Sequence, residues 1–392
     1  MELKQSKLSQ KLTLGFCLAV SLVLLYNWQR IFFLECTDGI ISDMPGHIKL
    51  ALGHNDYGLS SYIIRALYAV GDEHFAQTAL SLVLAANSAV SIVTLWLLIC
   101  EMFEDADKSL CLLSAVLANI CAPWPVFGQS EIYLEALNAN VLHNMTLLFS
   151  RTFIPLDFLF FFRIWKKRNG TVQFKSWFGM AVCFLLTTMF KPNFAFAFIP
   201  VLGVMLLCDL IKTRGKNLKN EIIIGMTVVP AGLACIWQYT VLFDENFAGN
   251  SSSVALRALS LGLLASLLVM YLRSLLLPVF ASGFCLKNEA HNYEIKLIWI
   301  CMFTAIAENV LLTETGFRAN DGNFSWGSIA ICQSIFAVSI TMLFRMIKFT
   351  DRHNKRELII ALLGLLILLG HLIAGIYCIY VARHGGYHWF YF

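Results

Sequence analysis

The chain has 392 residues, of which 58% are hydrophobic and only 14% charged, with a mean hydropathy of +0.69. That balance excludes an ordinary soluble enzyme, and a formal charge of +4 is too small over this length for a nucleic-acid partner. The 12 cysteines are scattered, mostly within apolar runs and without CxxC or Cys/His ligand spacing, so they read as small hydrophobes, not as a metal or disulfide framework.

Lys4, Lys7 and Lys11 precede an apolar run over 12–34. It is too long for a signal-peptide core and lacks a small-residue cleavage site, so it reads as a retained first membrane span. Further runs follow at 76–101, 109–127, 146–165, 176–190, 193–211, 221–242, 254–280, 297–313, 327–347 and 357–382. Each approaches the length needed to cross a bilayer as a helix, which alone satisfies its own backbone there. The expected fold is an all-α polytopic membrane helix bundle of about 11 transmembrane helices, forming one transmembrane domain over 1–392. If the N-terminus lies inside, most lysines and arginines fall in cytoplasmic segments, among them Arg163, Lys166, Lys167, Arg168, Lys212, Lys216, Arg345 and Arg356. This bias predicts N-inside, C-outside. The acids Glu35, Asp38, Asp43, Glu131, Glu135, Glu314 and Asp321 then collect on the outer face.

The first outer loop, 35–75, is the longest polar stretch. Asp43 and His47 are spaced one helical turn apart, with Pro45 suited to a first turn. That pair suits a general base beside a phosphate-contacting imidazole; it equally suits a helix cap with a histidine at headgroup level. Tyr57 to Ala69 carries apolar and aromatic residues at helical spacing, so surface-lying helices are expected in this loop. In the second outer loop, His143 and Arg151 could reach an anion, and Asn144-Met-Thr matches a glycosylation sequon. Lys191 stands before Pro192 between two apolar runs, either as a cation for a lipid phosphate or as a snorkelling lysine at a re-entrant break. The segment from Glu314 through Arg318 and Asp321 to Trp326 mixes acids, a base, glycines and aromatics, which suits sugar stacking and hydroxyl binding or a self-satisfied turn. Asp157, Arg273 and Glu308 lie within spans and are suspects by that position alone.

A first span followed by a long outer loop bearing an acid and surface helices resembles the GT-C superfamily of integral-membrane glycosyltransferases. The resemblance covers the whole chain as topology, and Asp43 with its loop as motif. It implies that Asp43, with Asp38 in reserve, is the base that activates an acceptor hydroxyl. It implies a polyprenyl-phosphate sugar donor whose phosphate meets Lys191, His143 and Arg318, and a glycan or lipid acceptor on the extracytoplasmic face. It further implies a catalytic module over 1–220 and a more variable helix module over 221–392. His47, Glu314, Asp321 and Trp326 complete the expected substrate-binding set. The superfamily's paired-acid loop motif is absent, which argues against a metal-dependent mechanism; a single plausible base and a phosphate donor favour inversion, so an inverting, metal-independent hexosyltransferase without a cofactor is expected. The expected location is a multi-pass membrane protein of the plasma membrane in a bacterium, or of the endoplasmic reticulum in a eukaryote. A polysaccharide polymerase or ligase, or a lipid or oligosaccharide transporter, is the alternative.

Overall fold

A computed structural model describes residues 7–37, 42–53, 58–124, 142–242, 253–285, 292–316, 322–351 and 353–384. Helix α1 (Lys7–Cys36) is followed by two short helices, α2 (Met44–Leu52) and α3 (Leu59–Tyr68), where the sequence predicts helices in the first loop. Then come α4 (Glu73–Met102), α5 (Lys108–Ala118), α6 (Met145–Lys166), α7 (Phe174–Phe190), α8 (Asn193–Thr213), α9 (Leu218–Met226) and α10 (Val229–Leu242). Strand β1 (Val254–Leu256), α11 (Leu261–Ser274), α12 (Leu276–Cys285) and α13 (Asn292–Leu311) precede strand β2 (Leu312–Glu314). The chain continues with a 3-10 turn (Asn323–Ser325), α14 (Trp326–Phe349) and α15 (Lys355–Arg383).

The chain is an all-α, multi-pass membrane protein. Among the described residues seven helical segments are long and apolar enough to cross a bilayer: α1, α4, α6, α8, α9 with α10, α14 with its 3-10 turn, and α15. The pair α11 and α12, bent by 66°, makes an eighth if it is one span. The run at 109–127 is helical only to Ala118, and α7 is 17 residues long. The run at 254–280 begins as a strand, not a helix. Val254–Leu256 pairs antiparallel with Leu312–Glu314, satisfying backbone groups at the end of α13 that a helix can no longer satisfy.

Burial separates inner from outer helices. The apolar windows of α14 and α6 are 94% and 83% buried, that of α1 only 11%. Helix α14 carries small residues, Ser328, Ala330, Ser334, Ala337 and Ser339, all buried; such residues let helices approach closely without a hydrophobic drive in lipid. On α1, Leu14, Leu18 and Leu22 are exposed, as are Leu362, Leu366 and Ile373 on α15. Both are apolar nearly all round, as a helix facing lipid on one side and protein on the other must be.

Helix α15 closes against the segment after α5 through glycines. A Cβ on Gly375 would strike the Ile120 carbonyl oxygen, and one on Gly370 would strike the Trp124 ring. The approach is held by Ala122 N–H donating to the His371 carbonyl at 3.1 Å, while the His371 ring nitrogen Nδ1 lies 2.6 Å from the Ala122 carbonyl oxygen.

Candidate active site at the start of helix α6

Asp43 occupies the N-cap position of α2, with Pro45 in the first turn. Its side chain does not cap. The N–H of Met44 is taken by Ser42 Oγ at 3.1 Å, and the Asp43 carboxylate turns elsewhere. Asp43 Oδ2 accepts from Asn144 Nδ2 at 2.9 Å and lies 3.4 Å from His47 Nε2, one turn along α2. Asp43 Oδ1 is buried with no hydrogen-bond partner among the described residues. A carboxylate that forgoes capping to meet an amide and an imidazole is arranged for something other than helix stability.

Asn144 is the hub. It is the N-cap of α6, its Oδ1 accepting from Leu147 N–H at 2.9 Å and from the Thr146 hydroxyl at 2.8 Å. The same Oδ1 receives Lys191 Nζ at 3.2 Å, and Thr146 Oγ1 receives it at 3.3 Å. One buried amide thus stands between a carboxylate and an ammonium. Ser42 Oγ donates to the His143 carbonyl at 3.4 Å, tying the start of α2 to the start of α6 a second time.

Lys191 owes its position to Pro192. Proline cannot continue α7, so the backbone turns extended at Lys191 (φ −155°, ψ 117°) and resumes as α8. The lysine is 9% exposed, and its ammonium sits 4.6 Å over the Trp326 ring, a favourable cation–π contact. Trp326, the first residue of α14, also meets the His143 ring at 5.4 Å between centroids. Asn193 Nδ2 donates to the Asn323 carbonyl at 2.6 Å, and Asn323 Nδ2 donates to Glu314 Oε2 at 2.5 Å. Glu314 is buried and joins the break between α7 and α8 through this asparagine pair. A Cβ on Gly327 would lie 3.1 Å from the Asn193 carbonyl oxygen and 3.7 Å from Glu308 Oε2, so glycine is what lets α14 begin this close to the break.

Charge follows geometry. Burial works to raise the Asp43 carboxyl, but the His47 hydrogen bond and charge, with Lys191 beyond, outweigh it and hold Asp43 below the ordinary carboxylate value. Burial pushes the His143 imidazole down to about 4, with Asp43 opposing and Lys191 adding to the fall. His143 is therefore neutral at pH 7, and Lys191 is the cation that acts on Asp43 beyond the His47 contact.

Of the residues expected from sequence, Asp43, His47, His143, Lys191 and Trp326 converge, and Glu314 lies one asparagine pair away. Arg318, Asp321 and the reserve acid Asp38 lie outside the described residues. Arg151 is buried on α6, where its Nε donates to Gln333 Oε1 at 3.2 Å; Gln333 in turn donates to Asn119, which also accepts from Ser91. Arg151 thus locks α6 to α14 and α5 deeper in the bundle. Asn144, Thr146 and the asparagines 193 and 323 were missed as site residues. The Asn144-Met-Thr sequon is a helix cap, with its amide nitrogen donating to Asp43 and the residue 4% exposed. An Asn before an apolar run is the signal that could have found it. Among the described residues no group of three or more His, Cys, Asp or Glu is disposed to hold a metal ion. No protein-family model matches the chain, and no curated protein matches it.

Proposed function

We propose that the chain is a membrane glycosyltransferase that takes a sugar from a polyprenyl-phosphate carrier and passes it to a hydroxyl of a glycan or lipid acceptor. The observation that carries this reading is the relay of Asp43, Asn144 and Lys191: a half-buried carboxylate whose Oδ1 has no hydrogen-bond partner among the described residues, one amide away from a desolvated ammonium, at the end of the helix bundle. Glycosyl transfer from a phosphate needs those two charges at opposite ends of the reacting axis.

In this scheme the acceptor oxygen bonds the sugar's anomeric carbon while the carbon–oxygen bond to phosphate breaks. The phosphate leaves with the electron pair, and the acceptor proton passes to Asp43. A carboxylate held below the ordinary value is a weak base, so the proton moves late, once the acceptor oxygen has begun to bond and become acidic. Lys191 neutralises charge growing on the departing phosphate. His143, neutral and tucked against Trp326, offers a hydrogen bond without a second charge. Trp326 holds the Lys191 ammonium over its ring, and Glu314 anchors the Asn323–Asn193 pair at the same break. A single base opposite the leaving group favours inversion. The reading includes eleven spans with the N-terminus inside and the relay on the outer face, a donor entering from lipid, and a place in the plasma membrane or endoplasmic reticulum.

The test is release of label. Purified protein in lipid is incubated with a panel of radiolabelled polyprenyl-phosphate sugars and an acceptor extract. Label leaving a carrier supports a transferase. No release from any carrier, with folded protein present, removes that reading in favour of a transporter that moves the same amphiphiles unchanged.

A further inference from the structure

Helices α4 and α5 form a hairpin whose turn is tied down from two sides. Asp107 caps α5 by accepting from Ser109 N–H at 2.8 Å, and its second oxygen accepts from Gln10 Nε2 of α1 at 2.8 Å. Asp105 meets Arg345 of α14 at 2.9 Å. Beside this turn stand two thiols that the relay does not use, Cys100 in the last turn of α4 and Cys111 in the first turn of α5. Trp96 precedes Cys100 by one turn on the same face of α4, and its Nε1 donates to the Lys108 carbonyl at 3.0 Å. That face of α4 therefore lies against the first turn of α5. The two thiols meet there, Cys111 donating a hydrogen bond to Cys100, and both are unbridged.

The two differ in access. Cys111 is fully buried, whereas Cys100 is half-buried. Glu101, next in the chain, pairs at 2.7 Å with Arg163, whose side chain is 45% exposed, so this level of the bundle borders water. Lys108 places a positive charge beside Cys100. A half-open thiol next to a cation, with a second thiol in contact behind it, is the arrangement of a reacting cysteine and a resolving one.

We propose that Cys100 and Cys111 are an oxidation-sensitive pair that closes to a disulfide when hydrogen peroxide reaches the α4–α5 hairpin. The Cys100 sulfur attacks one peroxide oxygen and the O–O bond breaks. Cys100 becomes a sulfenic acid, and the hydroxide that leaves takes the proton given up by the thiol, forming water. The Cys111 sulfur then bonds the Cys100 sulfur, the S–O bond breaks, and the departing hydroxide takes the Cys111 proton as a second water. Two thiols are oxidised and one peroxide is reduced. The bridge closes the chain between residues 100 and 111 and staples the hairpin at its turn. The pair is remote from the Asp43 relay: Asn87 of α4 donates to the Leu148 carbonyl in the first turn of α6 at 2.6 Å, and Cys100 lies about 20 Å further along α4. The proposal does not depend on the transferase reading.

The test uses the full chain purified in detergent with reductant, then freed of reductant and treated with hydrogen peroxide. Remaining thiols are alkylated and the peptides are mapped without reduction. A cross-linked Cys100–Cys111 peptide should appear, should be lost on treatment with dithiothreitol, and should form before Cys208, an exposed cysteine elsewhere on the fold, is oxidised. Cys111→Ser should leave Cys100 as a sulfenic acid that dimedone traps, and Cys100→Ser should leave Cys111 reduced. The melting temperature of oxidised wild type should rise by about a few degrees, and that of oxidised Cys111→Ser should not. Cys100 still open to alkylation once Cys208 is oxidised, or Cys100 bridged to any cysteine other than Cys111, would overturn the proposal. Where either serine variant does not give a monodisperse protein, Cys100→Ala and Cys111→Ala are read the same way.

Discussion

Asn144→Asp isolates the contact on which the site is built. The substitution keeps an N-cap of equal quality, keeps Oδ1 as acceptor for Leu147, Thr146 and Lys191, and replaces only the nitrogen that donates to Asp43 at 2.9 Å. A second carboxylate then faces Asp43. Two charges centred about 4 Å apart repel by roughly 4 kcal/mol at an effective dielectric of about 20. The Asp43 side chain is 34% exposed, so about half of that survives screening, or close to 1.5 pH units at ~1.4 kcal/mol per unit. The introduced carboxylate holds Lys191 and two hydrogen-bond donors and stays ionised, so the shared proton falls on Asp43. The acid limb of the pH–rate profile for label transfer, measured in proteoliposomes, should move up by about 1.5 units, with the plateau at high pH largely restored. Thermal melting at about pH 8 should fall by only a few degrees, since a cap is replaced by a cap and the surviving repulsion of about 2 kcal/mol is the one cost added. An acid limb in the same place for both proteins, with both folded, would refute the Asn144–Asp43 contact as a determinant of the site.

Other outcomes follow from the same geometry. Lys191→Met removes a charged donor from Asn144 and Thr146, and should raise the KM for a polyprenyl-phosphate sugar about 10- to 100-fold by the usual worth of such hydrogen bonds, with a smaller fall in kcat. Because burial holds the His143 imidazole near 4, below its unfolded value of 6.5, the folded state resists protonation there. Its contribution is intact above pH 6.5 and is lost as pH falls toward 4, by about 3 kcal/mol in all. Wild-type melting temperature should therefore fall across that window, and His143→Phe should flatten the fall. Gly375→Ala drives a Cβ into the Ile120 carbonyl and should lower stability by on the order of 2–3 kcal/mol, read as a drop in melting temperature without a change in the pH–rate profile of the surviving protein.

Much of the helical scaffold is legible in the sequence because a bilayer leaves the backbone few choices. The short helices after α1 are foreshadowed by Pro45 and by the aromatic spacing from Tyr57 to Ala69. Span counting is less legible. Helices such as α5, at 11 residues, and the bent pair α11 and α12 have the composition of crossings without the length or straightness. Lys191 is visible because a lysine before proline in an apolar chain needs a reason. Its partner Asn144 is not, since an uncharged amide stands out in no composition and its sequon suggests a different fate. The join between residues 43 and 144, and between 191 and 326, is set by how α6, α7, α8 and α14 pack, and no local pattern records it. Arg151 shows the converse: expected from sequence to meet an anion beside His143, it is buried on α6 and donates to Gln333.

The most direct measurement compares wild type with Asp43→Asn for donor binding and for transfer in the same proteoliposomes. The account predicts that Asp43→Asn, which keeps the side-chain shape and removes the acceptor of the proton, still binds the polyprenyl-phosphate sugar while transfer falls by about 10²- to 10⁴-fold, the usual worth of a general base. Transfer at the wild-type rate by folded Asp43→Asn would contradict the assignment of Asp43 as the base.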